Sequence, residues 1–256
     1  MKIRFLGTHN CESQKTKLTS ILIDDAIAID AGGLTSSLTF KAQQKLKAIL
    51  LTHQHYDHIR DIPAMAMNAL LHKTTINVYS TQAVYDALTT HWLNGQFYPN
   101  FLEKPEGNPI IKFTLMETNQ TIQVGDYSIL TVPGNHSVPT VGYQVTSPDG
   151  KSVFYTGDTG PDSVDLWQGV SPQVLITEVT APNQYEEFGR KSLHLTPSLL
   201  RRELLAFQKQ KGYLPQVVLV HMIPPEEKDI EAEIAPLIEE LNIPITLAYE
   251  GMQLHI

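Results

Sequence analysis

Leu51-Thr52-His53-Gln54-His55-Tyr56-Asp57-His58 places four potential metal ligands, His53, His55, Asp57 and His58, within six positions. An apolar run, Ala48-Ile49-Leu50-Leu51, comes just before them and reads as a buried strand. A helical segment begins soon after, near Asp61-Ile62-Pro63. The spacing therefore predicts a loop at a strand end, where several side chains can converge on one point.

Composition bounds what surrounds this loop. The chain has 256 residues, 42% hydrophobic and 18% charged, enough for a sizeable core and expected to form a single domain over 1–256. No apolar run approaches the ~18 residues of a membrane span. The segment Met1-Lys2-Ile3-Arg4-Phe5-Leu6-Gly7 reads as a short strand rather than a signal peptide. Cys11 is the single cysteine, which excludes an intrachain disulfide and fits a cytoplasmic location. Lys and Arg total 19 against 27 Asp and Glu, a net charge of −8, and Lys15, Lys17, Lys41, Lys45 and Lys47 are scattered. Such a chain is a poor generic ligand for polyanions, so neither a nucleic acid nor a membrane is expected as partner.

Hydrophobic periodicity predicts strands over 3–6, 19–23, 26–30, 48–51, 76–79, 111–115, 121–124, 127–132, 141–146, 152–155, 174–177, 217–220, 245–247 and 252–256. Helices are predicted from the Asp30-Ala31-Gly32-Gly33 turn to about Lys45, and over 62–71, 82–92, 196–210 and 226–241. Thr196 is expected to cap the fourth of these, with Pro197 at its first position. The segment Asn94–Pro109, rich in Pro, Gly and aromatics, reads as a surface loop tucked onto the core by its aromatics, with a substrate lid or a dimer contact as the alternatives. The pattern predicts an α/β fold of two mixed sheets with helices outside both faces.

Three later turns repeat the arrangement of the first, each placing a His or Asp just past an apolar run. They are Leu130-Thr131-Val132-Pro133-Gly134-Asn135-His136, Val153-Phe154-Tyr155-Thr156-Gly157-Asp158-Thr159-Gly160 and Val217-Val218-Leu219-Val220-His221. If the strands share a sheet edge, the loops meet around a space for two ions. Imidazole and carboxylate suit Zn, Mn or Fe, and a shared carboxylate can bridge two ions.

His53-Gln54-His55-Tyr56-Asp57-His58 resembles the His-x-His-x-Asp-His signature of the metallo-β-lactamase fold superfamily. Asn135-His136-Ser137-Val138-Pro139-Thr140-Val141-Gly142-Tyr143 and Tyr155-Thr156-Gly157-Asp158-Thr159 are similar to stretches of its phosphodiesterase branch. That branch holds ribonuclease Z, cyclic ribosyl-phosphate phosphodiesterases and class II cyclic-nucleotide phosphodiesterases. The resemblance implies a four-layer αββα sandwich and two divalent metal ions, Zn or Mn. It implies that His53, His55 and His136 hold one ion, that Asp57, His58 and His221 hold the other, and that Asp158 bridges them. Asp57 is also implied to orient the attacking water.

In that branch a Glu and a His near the leaving group supply a carboxylate-oriented imidazole. Here they correspond to Glu178, at the end of Leu175-Ile176-Thr177-Glu178, and His194, in Ser192-Leu193-His194-Leu195-Thr196. An alkoxide leaving phosphorus needs a proton, and a His paired with a carboxylate can donate one. His72, His91 and His255 lack such a neighbourhood. His9, in Thr8-His9-Asn10 after the first strand, stands where its loop could border the site.

The chain also departs from its relatives. Ribonuclease Z carries a protruding arm for tRNA between the stretches matching His136 and Asp158; here a hairpin fills 137–157. Cyclic ribosyl-phosphate phosphodiesterases carry several cysteines for a further zinc, where this chain has only Cys11. The leading expectation is a dinuclear metal-dependent phosphodiesterase that attacks a small or cyclic phosphodiester with a metal-bound hydroxide, and the resemblance implies a homodimer. A lactonase or thioesterase-like hydrolase and an armless ribonuclease Z-type enzyme are the alternatives.

Overall fold

Strands buried on both faces read as unbroken apolar runs, and that is how the centre of this fold is built. The computed structural model describes residues 1–256, the side chain of Val164 excepted. The strands are β1 (Lys2–Gly7), β2 (Ser20–Ile23), β3 (Ile27–Ile29), β4 (Ala48–Leu50), β5 (Ile76–Ser80), β6 (Ile111–Leu115) and β7 (Thr121–Val124). They continue with β8 (Tyr127–Pro133), β9 (Val141–Thr146), β10 (Ser152–Tyr155), β11 (Val174–Glu178), β12 (Gln216–Val220), β13 (Ile245–Leu247) and β14 (Gln253–His255). Every residue of β2, β3, β4, β10 and β11 is buried. The edge strands β6 and β7 are largely exposed.

Two seven-stranded sheets result, in the orders β14-β1-β2-β3-β4-β5-β6 and β13-β12-β11-β10-β9-β8-β7. Each is antiparallel on one side and parallel on the other, the change falling at β3 and at β10. Three apolar layers hold them. Ile21, Ile29 and Leu50 meet Tyr143, Tyr155 and Ile176 between the sheets. The outer face of the first sheet packs on α4 (Ile62–Leu71) through Ile62, Met65 and Ala66. The outer face of the second packs on α8 (Pro197–Lys211) and α9 (Glu227–Leu241) through Leu204, Phe207, Ile230 and Ile234. This is the αββα sandwich of the metallo-β-lactamase fold. No helix among the described residues is long and apolar enough to cross a membrane.

The remaining helices are short: α1 (Leu34–Ser37), α2 (Phe40–Gln43), α3 (Tyr56–Ile59), α5 (Gln82–Ala87), α6 (Val164–Gln168) and α7 (Glu186–Ser192). Three expectations need correction here. The helix predicted to run to Lys45 is two turns, because Leu38 adopts an extended backbone and Thr39 starts a new helix by accepting from Ala42 N. Periodicity over 82–92 is helical, but α5 widens into a π-helical turn over Leu88–Trp92. Thr196 occupies the cap position of α8 without bonding the backbone; Asn183 Oδ1 accepts from Ser198 N at 2.8 Å instead. Of the 94–109 segment, Phe101 and Leu102 tuck into the core while Phe97 stays exposed.

Candidate metal centre

Parallel strands point their carboxyl ends to one edge, and there the loops from both sheets meet. Asp30 follows β3, His53 to His58 follow β4, His136 follows β8, Asp158 follows β10, Glu178 ends β11 and His221 follows β12. Backbone geometry at the junctions is unusual. Asp30, Leu193 and His221 all adopt left-handed φ values, +58°, +58° and +65°, a conformation that costs non-glycine residues energy and tends to mark functional sites. Gly32 lies so close to the ligand loop that a Cβ there would sit 2.2 Å from the Asp57 carbonyl oxygen. Gly157, at φ +65°, lets the Asp158 turn approach Thr52.

The side chains gather in two groups. His53 Nε2 and His136 Nε2 lie 3.1 and 3.3 Å from His55 Nδ1. Asp57 Oδ2 lies 3.0 Å from His221 Nε2 and 3.3 Å from His58 Nε2. Asp158 Oδ2 stands between the groups, 3.3 Å from His221 Nε2, 3.4 Å from His58 Nε2, 3.7 Å from His53 Nε2 and 3.9 Å from His136 Nε2. Both groups, and a third made of Asp158, His194 and His221, have ligand atoms close enough to share an ion.

Two buried carboxylates organise these rings from behind. Asp30 accepts from His58 Nδ1 at 2.7 Å and from Thr52 Oγ1 at 3.0 Å. Thr52 Oγ1 in turn accepts from His53 Nδ1 at 3.0 Å. Glu178 accepts from His194 Nδ1 at 2.7 Å and from Thr180 Oγ1 at 2.8 Å. Thr180 Oγ1 accepts from His221 Nδ1 at 3.0 Å. Each acid thus holds one imidazole directly and a second through a threonine. His136 Nδ1 donates to the Leu193 carbonyl at 3.1 Å. With their Nδ1 atoms committed, His53, His58, His136 and His221 turn Nε2 inward, the arrangement seen behind metal-bound imidazoles.

The electrostatics fit a cation. His58 Nε2 and Asp158 Oδ1 are buried without a hydrogen-bond partner, and a buried orphan of this kind needs an explanation. Burial opposes charge on His58, yet Asp158, Asp57 and Asp30 together push its pKa well above the usual value. Burial likewise opposes charge on Asp57 and Asp158, and the surrounding imidazoles hold both below the ordinary carboxylate range. Burial lowers His53, His55 and His136, keeping those rings neutral. Carboxylates negative enough to hold a proton on His58, facing the neutral rings of His53, His55 and His136, suit divalent ions of the Zn or Mn kind, which would take the place of that proton.

All nine residues singled out in the sequence, Glu178 and His194 included, come to this one edge. His9 does not join them. It is buried behind the His221 turn, with Nδ1 2.7 Å from Glu250 Oε1. His72, His91 and His255 are exposed and belong to none of the ligand groups. Sequence reasoning missed Asp30, Thr52, Thr180 and Leu193. Asp30 carried one signal, an acid closing a buried strand before a glycine pair; Thr180 and Leu193 carried none.

A cleft of about 470 Å³ opens over the cluster, lined by Asn10, Cys11, Glu12, Leu18, His55, Tyr56, Asp57, Asp158, His194 and His221. Its size suits a small ligand.

Known proteins agree with this architecture. A family model described as "Beta-lactamase superfamily domain" matches residues 19–222. Ribonuclease Z of Methanopyrus kandleri is 25% identical over 158 residues, covering 57% of this chain and 50% of that protein. The chain therefore spans about half the length of that curated relative. Among solved structures, unliganded yeast PDE1 superposes with a TM-score of 0.84 at 15% identity, over 100% of this chain and 99% of that one. The metallo-beta-lactamase fold protein YhfI from Bacillus subtilis gives 0.76 at 18% identity, over 99% of both chains. Because the family model covers most of the chain, from β2 to the turn after β12, this protein belongs to the beta-lactamase superfamily.

Proposed function

We propose that this hydrolase cleaves a small phosphodiester at a centre of two divalent ions, Zn or Mn. His53, His55 and His136 would hold one ion and Asp57, His58 and His221 the other, with the Asp158 carboxylate between the two groups. The ions supply positive charge beside the scissile group and make a bound water more acidic. Asp57, a fifth exposed toward the cleft, orients the attacking water. His194 donates a proton to the leaving oxygen.

The His194–Glu178 pair carries this reading. Glu178 is wholly buried, and His194 sits at the cleft with its ring 5.0 Å from that of His136 and 5.3 Å from that of His221. Burial works against protonation, but Glu178 outweighs it and His194 is raised to about 9. His194 has its Nδ1 committed to Glu178 and faces the open cleft, so it is assigned as proton donor although its position would allow a third ligand group. An alkoxide leaving phosphorus needs that proton.

The cleft lining also speaks to substrate charge. It contains no Lys or Arg among the described residues, and it includes Glu12, which is paired with Arg60. A monoanionic diester suits such a lining better than a phosphate monoester, a polyphosphate or RNA. Ribonuclease Z activity of a relative therefore supports cleavage at phosphorus but not an RNA substrate here.

A lining without Lys or Arg also admits a neutral ester, so a lactonase or thioesterase-like reaction is the second reading. Assay of Mn- or Zn-loaded protein on bis-p-nitrophenyl phosphate, cyclic nucleotides, lactones and thioesters separates the two. Turnover of carbon esters alone rejects the phosphodiesterase.

A further inference from the structure

Tyr56 is the x of the His-x-Asp segment, so its chain neighbours are His55 and Asp57, one from each ligand group. Its side chain takes no part in holding the cluster. It is 62% exposed and lines the cleft with His55, Asp57 and His194. Leaving a large aromatic surface in water beside the reacting groups forgoes stabilisation that burial would give.

The ring is nevertheless braced by one aromatic neighbour. Tyr56 starts α3, and Trp92 meets it edge to face, with centroids 5.8 Å apart and planes at 62°. Trp92 is anchored against the first outer core. It closes the π-helical turn over Leu88–Trp92, where Leu93 N reaches back to Leu88 O at 2.7 Å. Such widened turns are rare and recur at functional sites. Here the extra residue per turn coincides with the contact between Trp92 and Tyr56. With 62% of the residue exposed, the braced ring keeps aromatic surface available to a ligand.

We infer that Tyr56, braced by Trp92, is a stacking platform for a planar aromatic group of the substrate, most simply the base of a nucleoside phosphodiester. The inference builds on the proposed phosphodiesterase. It assigns the part of the substrate that does not react. The bracing matters because a pre-positioned ring loses little rotamer freedom on binding. The cleft lining offers a base no Lys or Arg, which leaves stacking as the main source of affinity for it.

Binding is tested first, because it does not depend on turnover. Metal-loaded protein is titrated with adenosine 5′-monophosphate and with glycerol 1-phosphate. Wild type binds the nucleotide about tenfold or more tightly, in line with the measured range for base–aromatic stacking. The preference collapses in Tyr56→Ala, persists in Tyr56→Phe and weakens in Trp92→Ala. Equal affinities in wild type, or a preference that survives Tyr56→Ala, overturn the platform. So does a result in which Tyr56→Ala changes only the sedimentation mass, which makes Tyr56 a contact between copies.

Turnover of adenosine 2′,3′-cyclic phosphate and glycerol 1,2-cyclic phosphate then extends the test. Tyr56→Ala lowers kcat/KM for the first by about tenfold more than for the second, mainly through KM. If wild type cleaves neither diester, the phosphodiesterase reading fails, while the binding titration still decides the platform. Metal content of Tyr56→Ala equal to wild type shows that the ligand loop has kept its shape.

Discussion

Asp30 reaches two imidazoles of the cluster, His58 directly and His53 through Thr52, without itself facing the cleft. Its carboxylate fixes which nitrogen of each ring carries the proton. Asp30→Asn keeps the shape and removes the charge, so affinity for the first-bound ions falls by roughly 10–100-fold; competitive titration with a metal indicator measures it. Thr180→Val acts alike on the opposite side, weakening His221. At His194 the consequence is catalytic. His194→Ala lowers kcat on phosphodiesters by several hundredfold, within the usual range for a proton donor. The donor form of His194 is present below about 9, so the wild-type rate falls as pH rises through that value, and the variant loses this limb of the profile. The stability sign agrees. A folded pKa raised above 6.5 stabilises fully below that value and is lost as pH rises toward about 9.

Among the elements, loops that join sheet edge to helix carry the tightest tolerances. Gly32 stands where a Cβ would collide with the Asp57 backbone. Gly32→Ala therefore destabilises the fold by about 1–3 kcal/mol, read by denaturant unfolding, and also loosens metal binding because Asp57 must move. The same scale shows what could be read from the chain. His53 to His58 were legible because their convergence is local, written in the spacing of one loop. Buried strands were legible as apolar runs. The His136, Asp158 and His221 turns were legible because each repeats the rule of a ligand after a strand. Asp30 and Thr180 were not, because their partners lie 28 and 41 residues away and a lone Asp or Thr near a strand end is ordinary. Helices α3, α6 and α7 are too short to show a hydrophobic period. Leu38 breaks the first predicted helix with no Pro or Gly to announce it.

At the scale of the whole molecule, two sheets must keep their edges together for the centre to exist, since His53, His55, Asp57 and His58 come from one sheet and His136, Asp158 and His221 from the other. Tyr143 helps by donating across the interface to the Leu51 carbonyl at 2.8 Å, just below the ligand loop. Ions that bind both halves stabilise the folded chain by mass action. Removing them with a chelator therefore lowers Tm by several degrees, and Mn or Zn restores it. The net charge of −8 sets the long-range field. Turnover of a small diester should change by less than about twofold between 50 and 200 mM salt, whereas an RNA substrate neutralised by several basic residues loses orders of magnitude.

The most direct test of the account joins substrate to proton donor. Mn- or Zn-loaded wild type and His194→Ala are compared on bis-p-nitrophenyl phosphate, a cyclic nucleotide, a lactone and a thioester. Wild type is expected to turn over the phosphodiesters, and the variant to lose kcat on the cyclic nucleotide by several hundredfold. Turnover confined to the lactone or thioester, unchanged by His194→Ala, would contradict the account.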